Sequence, residues 1–413
     1  AAVRTVEWRA DGEVRLAGSG SATASVGQLD ASADPLPSLA ALRERLAPGE
    51  PVVFIQADIR HAGAAVGSAD WEQLVGQRNA YLDTPTALTV LYRAGFRCQG
   101  VRRLRRRVTL EELVTNPAGD LVVPAWRRRL LRLLPAPLRR AWRADVPVAE
   151  VAILATRRPP DAPAVSVVVP VYNEAAYVAQ LLDAVLRVEI RDASIEVVIV
   201  ESNSTDGSRE IVQRYAAHPR VTCLFEDRPR GKGHATRFGL ARARGDILLI
   251  QDADLEYDIE DYHSLIEPIL HGHEALVLGS RHGGRKHWKL RQFGKPLLTK
   301  FYNLAHVLVT AYINLLFGLR LRDPQTMYKV CRRDCVEGIA FHGNHFDFDY
   351  ELLLKVVRKG YQPAEVPVNY RSRSHAEGKK LYMLRDAPLG LWMITKLRFT
   401  PLRRFLTIGE PFE

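Results

Sequence analysis

The run D-I-L-L-I-Q-D-A-D-L-E-Y-D at residues 246–258 sets the reading of this chain. Asp246-Ile-Leu-Leu-Ile250, apolar after its aspartate, looks like a buried strand. Asp252 and Asp254 follow its end with one residue between them, and Glu256 lies two further on. In an extended chain alternate side chains share one face, so these carboxylates are expected to converge. Such a cluster repels itself unless a cation compensates it. Hard oxygen donors suit Mg²⁺ or Mn²⁺, ions that keep water and share their sphere with substrate phosphates. The plain alternative is an exposed acidic turn, and the surrounding sequence decides between the two.

Upstream of this strand the chain alternates strand and helix signals. Val165 to Val171 (V-S-V-V-V-P-V) and Ser194 to Val200 (S-I-E-V-V-I-V) are β-branched runs suited to buried strands, and Val221 to Phe225 is a shorter one. Helical spacing falls at 173–188, near 206–215 and at 234–243. Repeated βαβ units predict an α/β fold with a mostly parallel, doubly wound sheet. Ligands of such sheets bind beyond the carboxyl ends of the strands. Those ends carry Tyr172-Asn-Glu174, Glu201-Ser-Asn203 and Asp252-Ala-Asp254, so polar clusters gather on one edge.

At 413 residues, with 47% hydrophobic and 25% charged side chains, the chain has the length for two or three domains and an ordinary globular composition. The proline-rich stretch 157–163 predicts a linker between an additional N-terminal α/β unit, 1–156, and a second unit, 164–380, with a basic amphipathic tail at 381–413. No cationic, apolar leader is visible at the start. Cys98, Cys223, Cys331 and Cys335 show no paired metal-ligand spacing and are expected to be reduced thiols of a cytoplasmic protein. The net charge of +11 is concentrated at Arg102–Arg107 and Trp126–Arg143. No nucleic-acid-binding signature accompanies it, which argues against a nucleic-acid partner. Leu and Trp mixed with Arg in the second patch fit a membrane surface or a solvated basic face.

Residues 165–380 resemble inverting GT-A glycosyltransferases of family 2, in particular the polyprenyl-phosphate (dolichol-phosphate) mannosyl- and glucosyltransferases. The likeness runs through V-V-V-P-V-Y-N-E (167–174), E-S-N-S-T-D-G-S (201–208), R-G-K-G-H (230–234), D-A-D-L-E (252–256), G-S-R (279–281), D-P-Q-T-M-Y-K-V (323–330), F-D-F-D-Y-E-L (346–352), E-V-P-V-N-Y (365–370) and R-S-R-S-H-A-E-G-K-K (371–380). The resemblance implies a nucleotide-sugar donor of GDP-mannose or UDP-glucose type. It implies a nucleotide pocket at Pro170, Tyr172, Asn173, Glu174, Glu201 and Asp206, with Lys232 and Asp252 near the phosphates. Glu201 stands where the family usually has Asp. The metal motif falls on Asp252, Asp254 and Glu256.

A polyprenyl phosphate acceptor is already an anionic nucleophile, and it needs cations rather than a base. The resemblance offers Arg281, Arg291, Arg371, Arg373 and Lys379 for that task. Arginine binds phosphate bidentately. Lys295 stands where related enzymes often have Ser. A hydroxyl acceptor on a glycan or metabolite needs a carboxylate base instead. Asp347, Asp349 and Glu351 are then the candidates. A non-catalytic scaffold with the same fold is the rival outside enzymology.

Phe301 to Leu319 lacks charge, but Asn303, His306, Thr310 and Asn314 make a polar stripe at helical spacing. That pattern predicts an amphipathic helix, on a bilayer or packed on the catalytic unit, rather than a span. The tail 389–406 has the same two readings, and peripheral contact at the inner membrane face is expected. Pro35 to Ile55 reads helix, turn, strand, and Asn79 to Phe96, ending in A-G-F, reads helix before a strand to Val108. Residues 1–156 thereby resemble the carboxyl half of a class I S-adenosylmethionine methyltransferase, with Ala17-Gly-Ser-Gly-Ser21 a poor glycine loop. The resemblance implies a non-catalytic remnant for packing, partner or membrane contact.

Overall fold

A computed structural model describes residues 5–8, 14–17, 26–28, 36–48, 51–57, 84–115, 125–158, 164–191, 193–282, 296–345, 347–372 and 383–401. The chain divides into two compact units, Ala1–Pro160 and Asp161–Glu413.

In the first unit β1 (Thr5–Trp8) and β2 (Val14–Ala17) form an antiparallel pair. A separate sheet has the order β3 (Val26–Gln28), β4 (Pro51–Ala57), β6 (Arg143–Arg157), β5 (Phe96–Thr109). Helices α1 (Leu36–Arg45) and α2 (Thr84–Arg93) precede β4 and β5. The proline and glycine turns at these places predict the same alternation. Phe54 and Phe96 meet edge to face at 5.4 Å in a core with Leu88, Leu91 and Ile153. Between β5 and β6 lie the short helices α3 (Leu110–Thr115), α4 (Ala125–Arg132) and α5 (Ala136–Ala141). Gly18 to Ser21 of the suspected glycine loop fall outside the described residues.

The second unit is built on a sheet of seven strands. They are β7 (Val165–Val171), β8 (Ile195–Glu201), β9 (Val221–Phe225), β10 (Ile247–Ile250), β11 (Leu276–Ser280), β12 (Lys329–Arg332) and β13 (Ala364–Pro367), in the order β13-β11-β12-β10-β7-β8-β9. Only β12 runs against its neighbours, so the sheet is mostly parallel. The apolar runs in β7, β8 and β10 are buried on both faces, as parallel strands require.

Helices cover the two faces. Val165, Val167 and Val169 pack toward α6 (Val178–Arg187) and α9 (Tyr262–Leu270). The short α7 (Ser208–Gln213) follows β8. The opposite face meets α8 (Lys232–Arg242), where a Cβ on Gly239 would come within 2.5 Å of Val168 Cγ1. Only hydrogen there lets the helix lie so close. Farther along stand α10 (Pro296–Phe317), α11 (Arg333–Val336), α12 (Asp347–Lys359) and α13 (Met383–Phe399).

The polar stripe of α10 faces inward: Asn303, His306 and Thr310 are buried, while Phe301, Leu304 and Leu308 are exposed. Tyr312 Oη and Thr395 Oγ1, 2.7 Å apart, join α10 to α13. Among the described residues no helix is long and apolar enough to cross a membrane. The four cysteines are free thiols.

Candidate active site

Gln251 anchors the chain as it leaves β10. Its amide donates to Val168 O, and its buried Oε1 accepts from Tyr262 Oη at 2.9 Å and Tyr328 Oη at 2.8 Å. Beyond it the backbone turns, with Leu255 at φ 52°. Alternate side chains of a turn do not share a face, so the expected convergence of Asp252, Asp254 and Glu256 is not what the structure shows. Asp252 lies against Lys232 Nζ. Asp254 Oδ1 accepts the amide of Glu256 at 3.1 Å, and Glu256 Oε2 accepts Tyr370 Oη at 2.7 Å. Among the described residues, the potential metal ligands that lie within 4.8 Å of one another as a trio are His282, His306 and Asp323. Asp252 and Asp254 nonetheless offer hard oxygen donors at the end of a central strand, the donor chemistry of a Mg²⁺ or Mn²⁺ site. Glu256 has Oε2 engaged by Tyr370, which leaves its Oε1 as the oxygen it could bring to such a site.

Lys232 owes its position to the glycines on either side. Gly231 has φ 101°, and a Cβ on it would stand 2.3 Å from Asn344 O; one on Gly233 would stand 2.7 Å from Gly343 O. Without side chains there, the start of α8 closes on loop 343–345 and brings Lys232 toward Asp349 on α12. Burial alone would lower the Lys232 pKa, but the Asp252 and Asp349 carboxylates hold it above its ordinary value. Burial raises the carboxyl of Asp349, against the pull of Lys232 and Lys329. Lys329, buried on β12, is itself pushed down by burial, with Asp349 opposing.

The three acidic candidates on α12 thus separate. Asp347 Oδ1 accepts the His345 amide at 2.8 Å. Glu351 accepts the amides of His342 and Gly343 and an ion pair from Lys355 at 2.6 Å. Asp349 is the one coupled to the cations beside Asp252.

On the neighbouring strand ends, two loops are cross-tied. The Asn173 amide donates to Ser204 Oγ at 2.9 Å, and its Oδ1 accepts the Thr205 amide at 2.9 Å. The Glu174 amide donates to Ser208 Oγ at 2.9 Å. Asp206 accepts from Ala175 and Ser208. Burial would raise its pKa, but hydrogen bonds, led by that from Ser208, hold it below the usual carboxylate range. Glu201 is fully buried and turned into its own loop, accepting the amides of Asn203 and Ser204 and pairing with Arg209 at 3.2 Å. Asp206 and Glu201 therefore brace the loops after β7 and β8. Pro170 lies on β7, and Tyr172, exposed just past its end, presents its ring to solvent.

On the other side, Arg281 follows β11. Its Nε and Nη2 grip Asp323 at 2.8 and 2.7 Å, and its guanidinium lies 5.2 Å from the centre of the Tyr370 ring. The Arg371 amide donates to Glu256 O at 2.8 Å, which brings that exposed arginine to the Asp-Ala-Asp turn. Arg291, Arg373, Lys379 and Lys295 lie outside the described residues. Sequence reasoning gave no role to Lys329, Asp323 or Tyr370. The available signal was a lysine inside a strand run, Tyr328-Lys-Val-Cys331, since a buried charge needs partners.

The strand ends thus gather an acidic turn between a cross-tied loop pair and a basic flank on one edge of the sheet. The chain belongs to Glycosyl transferase family 2, whose profile matches residues 166–327. The mostly parallel sheet agrees with the GT-A fold of that family. Dolichyl-phosphate beta-glucosyltransferase ALG5A of Trichomonas vaginalis is 30% identical over 54% of this chain and 70% of that protein. Its paralogue ALG5C is 29% identical over 58% of this chain and 76% of that one. The structure is also similar to glucosyl-3-phosphoglycerate synthase of Mycobacterium tuberculosis, crystallised with Mn²⁺, uridine diphosphate and phosphoglyceric acid. That likeness has 20% identity and a TM-score of 0.43 over 58% of this chain and 80% of the other.

Proposed function

We propose that this glycosyltransferase is metal-dependent and inverting, and moves a hexose from a nucleotide sugar of GDP-mannose or UDP-glucose type to polyprenyl phosphate. One observation carries the reading. By strand order, the Asp252 turn after β10 stands between the nucleotide-side loops after β7 and β8 and the basic flank of Arg281 after β11. Relatives that act, by name, on dolichyl phosphate support the acceptor.

In this reading an acceptor phosphate oxygen attacks the anomeric carbon from the face opposite the leaving group. The new C–O bond forms as the bond to the nucleoside diphosphate breaks, and the electron pair leaves with the diphosphate. Attack from the far face inverts the anomeric centre. Asp252 and Asp254 would hold the divalent ion, which when bound supplies Lewis-acid neutralisation of the leaving diphosphate. Lys232 adds positive charge at the same place. Arg371, exposed beside the Asp252 turn, orients the acceptor phosphate, and Arg281, engaged by Asp323, adds positive charge behind it. No proton needs to be removed from that nucleophile.

Asp349 favours a second reading. Its raised pKa and its place beside Lys232 suit a general base for a hydroxyl acceptor.

Peripheral membrane contact belongs to the proposal. Phe301, Leu308 and Leu315 on α10 and Trp392 on α13 are exposed, and Lys396 stacks on Trp392 at 4.5 Å, the make-up of an interfacial surface. Thermal-shift measurements with GDP-mannose and UDP-glucose in the presence of Mn²⁺ test the donor site. Stabilisation by one of the two, lost in Asp254→Ala, is expected; indifference to both would refute it.

A further inference from the structure

We infer that the first unit carries its own docking surface for an anionic lipid bilayer, formed by residues 127–143. Helices α4 and α5 meet here in a tight turn. Arg139 fastens it, with Nη1 donating to the carbonyl oxygens of Arg132 at 3.0 Å and Leu134 at 2.8 Å, and Nε on Glu111 Oε2 at 2.5 Å. The turn presents large apolar side chains to water: Leu133 is 80% exposed, Trp142 64% and Leu130 56%. Helix α5 buries no residue at all. Around these side chains stand Arg127, Arg129, Arg132, Arg140 and Arg143, all exposed. The stretch 125–143 holds seven arginines and no acidic residue.

Charge and exposure together select the occupant. A merely solvated basic face has no use for Leu133 and Trp142 at its tip. A nucleic acid would pair with the arginines and leave the same side chains in water. A bilayer with anionic headgroups satisfies both: the apolar tip enters the headgroup boundary while the guanidinium groups stay at the phosphates. The turn is already held in shape by Arg139, so little ordering is needed on contact. The residues of this surface belong to the first unit, and none of them belongs to the proposed transfer site.

Flotation of the full chain with phosphatidylcholine vesicles, with and without phosphatidylserine, tests the inference. Arg129→Gln/Arg132→Gln should weaken partitioning to the anionic vesicles by roughly 25-fold, at about fivefold per charge. Leu133→Ser/Trp142→Ser should also weaken it, and circular dichroism should show both variants folded, because the side chains are exposed. Phe301, Leu308 and Trp392 are untouched, so the loss reports the first unit alone. Wild-type partitioning in both variants would overturn the inference. So would binding indifferent to phosphatidylserine, or a wild-type oligomer that these substitutions dissolve, since the surface would then belong to a second copy.

Discussion

Lys232 Nζ stands 2.7 Å from Asp252 Oδ1 and 2.8 Å from Oδ2, so the proposed metal site carries a built-in cation. Both side chains are largely buried, and neither is well solvated without the other. A divalent ion at Asp252 therefore competes with an ammonium group. Lys232→Met should destabilise the metal-free protein by about 1–3 kcal/mol. It should also enlarge the rise in melting temperature on adding Mn²⁺, while lowering turnover. An unchanged Mn²⁺ response in calorimetry would show that the pair does not report on the metal site.

Asp349 separates the two acceptor chemistries. Its folded-state pKa is raised, chiefly by burial. Its stabilising contribution is therefore complete below the ordinary carboxylate pKa and is lost as pH rises through the raised value. Asp349→Asn should gain stability relative to the parent toward neutral pH, as urea titrations at several pH values would reveal. With a hydroxyl acceptor the same change should cost about 10²–10⁴ in kcat and abolish an acidic limb displaced above the usual carboxylate range. With a phosphate acceptor turnover should persist.

The Arg281–Asp323 fork is buried on both sides. Removing one partner leaves an uncompensated charge, so Asp323→Ala should lose about 3–5 kcal/mol in chemical denaturation. Asp323 also lies 3.6 Å from His306 on α10, so loosening of α10 should appear in hydrogen exchange.

Gly239→Ala probes the packing that sets the site edge. Its new Cβ would stand 2.5 Å from Val168 Cγ1 and 3.0 Å from Val200 Cγ2. Overpacking of this kind costs about 1–3 kcal/mol, readable as a lowered melting temperature.

The sheet was legible because Val165–Val171 is a valine-rich run and Ile247–Ile250 an unbroken apolar one, the make-up of doubly covered parallel strands. The polar ends of β7, β8 and β10 also signalled the site edge. Local backbone reversals were not legible. Asn173, at φ 52°, starts a turn tied to Ser204, so the helix expected from 173 begins at Val178. Leu255, also at φ 52°, undoes the extended geometry that would have aligned Asp252, Asp254 and Glu256. The stripe on α10 was visible as a period but not as a direction. His306 and Asn303 are buried, with His306 Nε2 lying 3.3 Å from His282 Nε2 and 3.6 Å from Asp323, while Phe301, Leu304 and Leu308 are left outside.

Transfer to a lipid phosphate is tested most directly by two acceptors that differ only in that group. Purified protein with Mn²⁺ and radiolabelled nucleotide sugar is incubated with a short polyprenyl phosphate or the corresponding polyprenol, and the lipid phase is counted. Transfer to the phosphate predicts label in polyprenyl phosphate alone, abolished in Asp254→Ala. Label in the polyprenol, or in neither lipid with either donor, would contradict it.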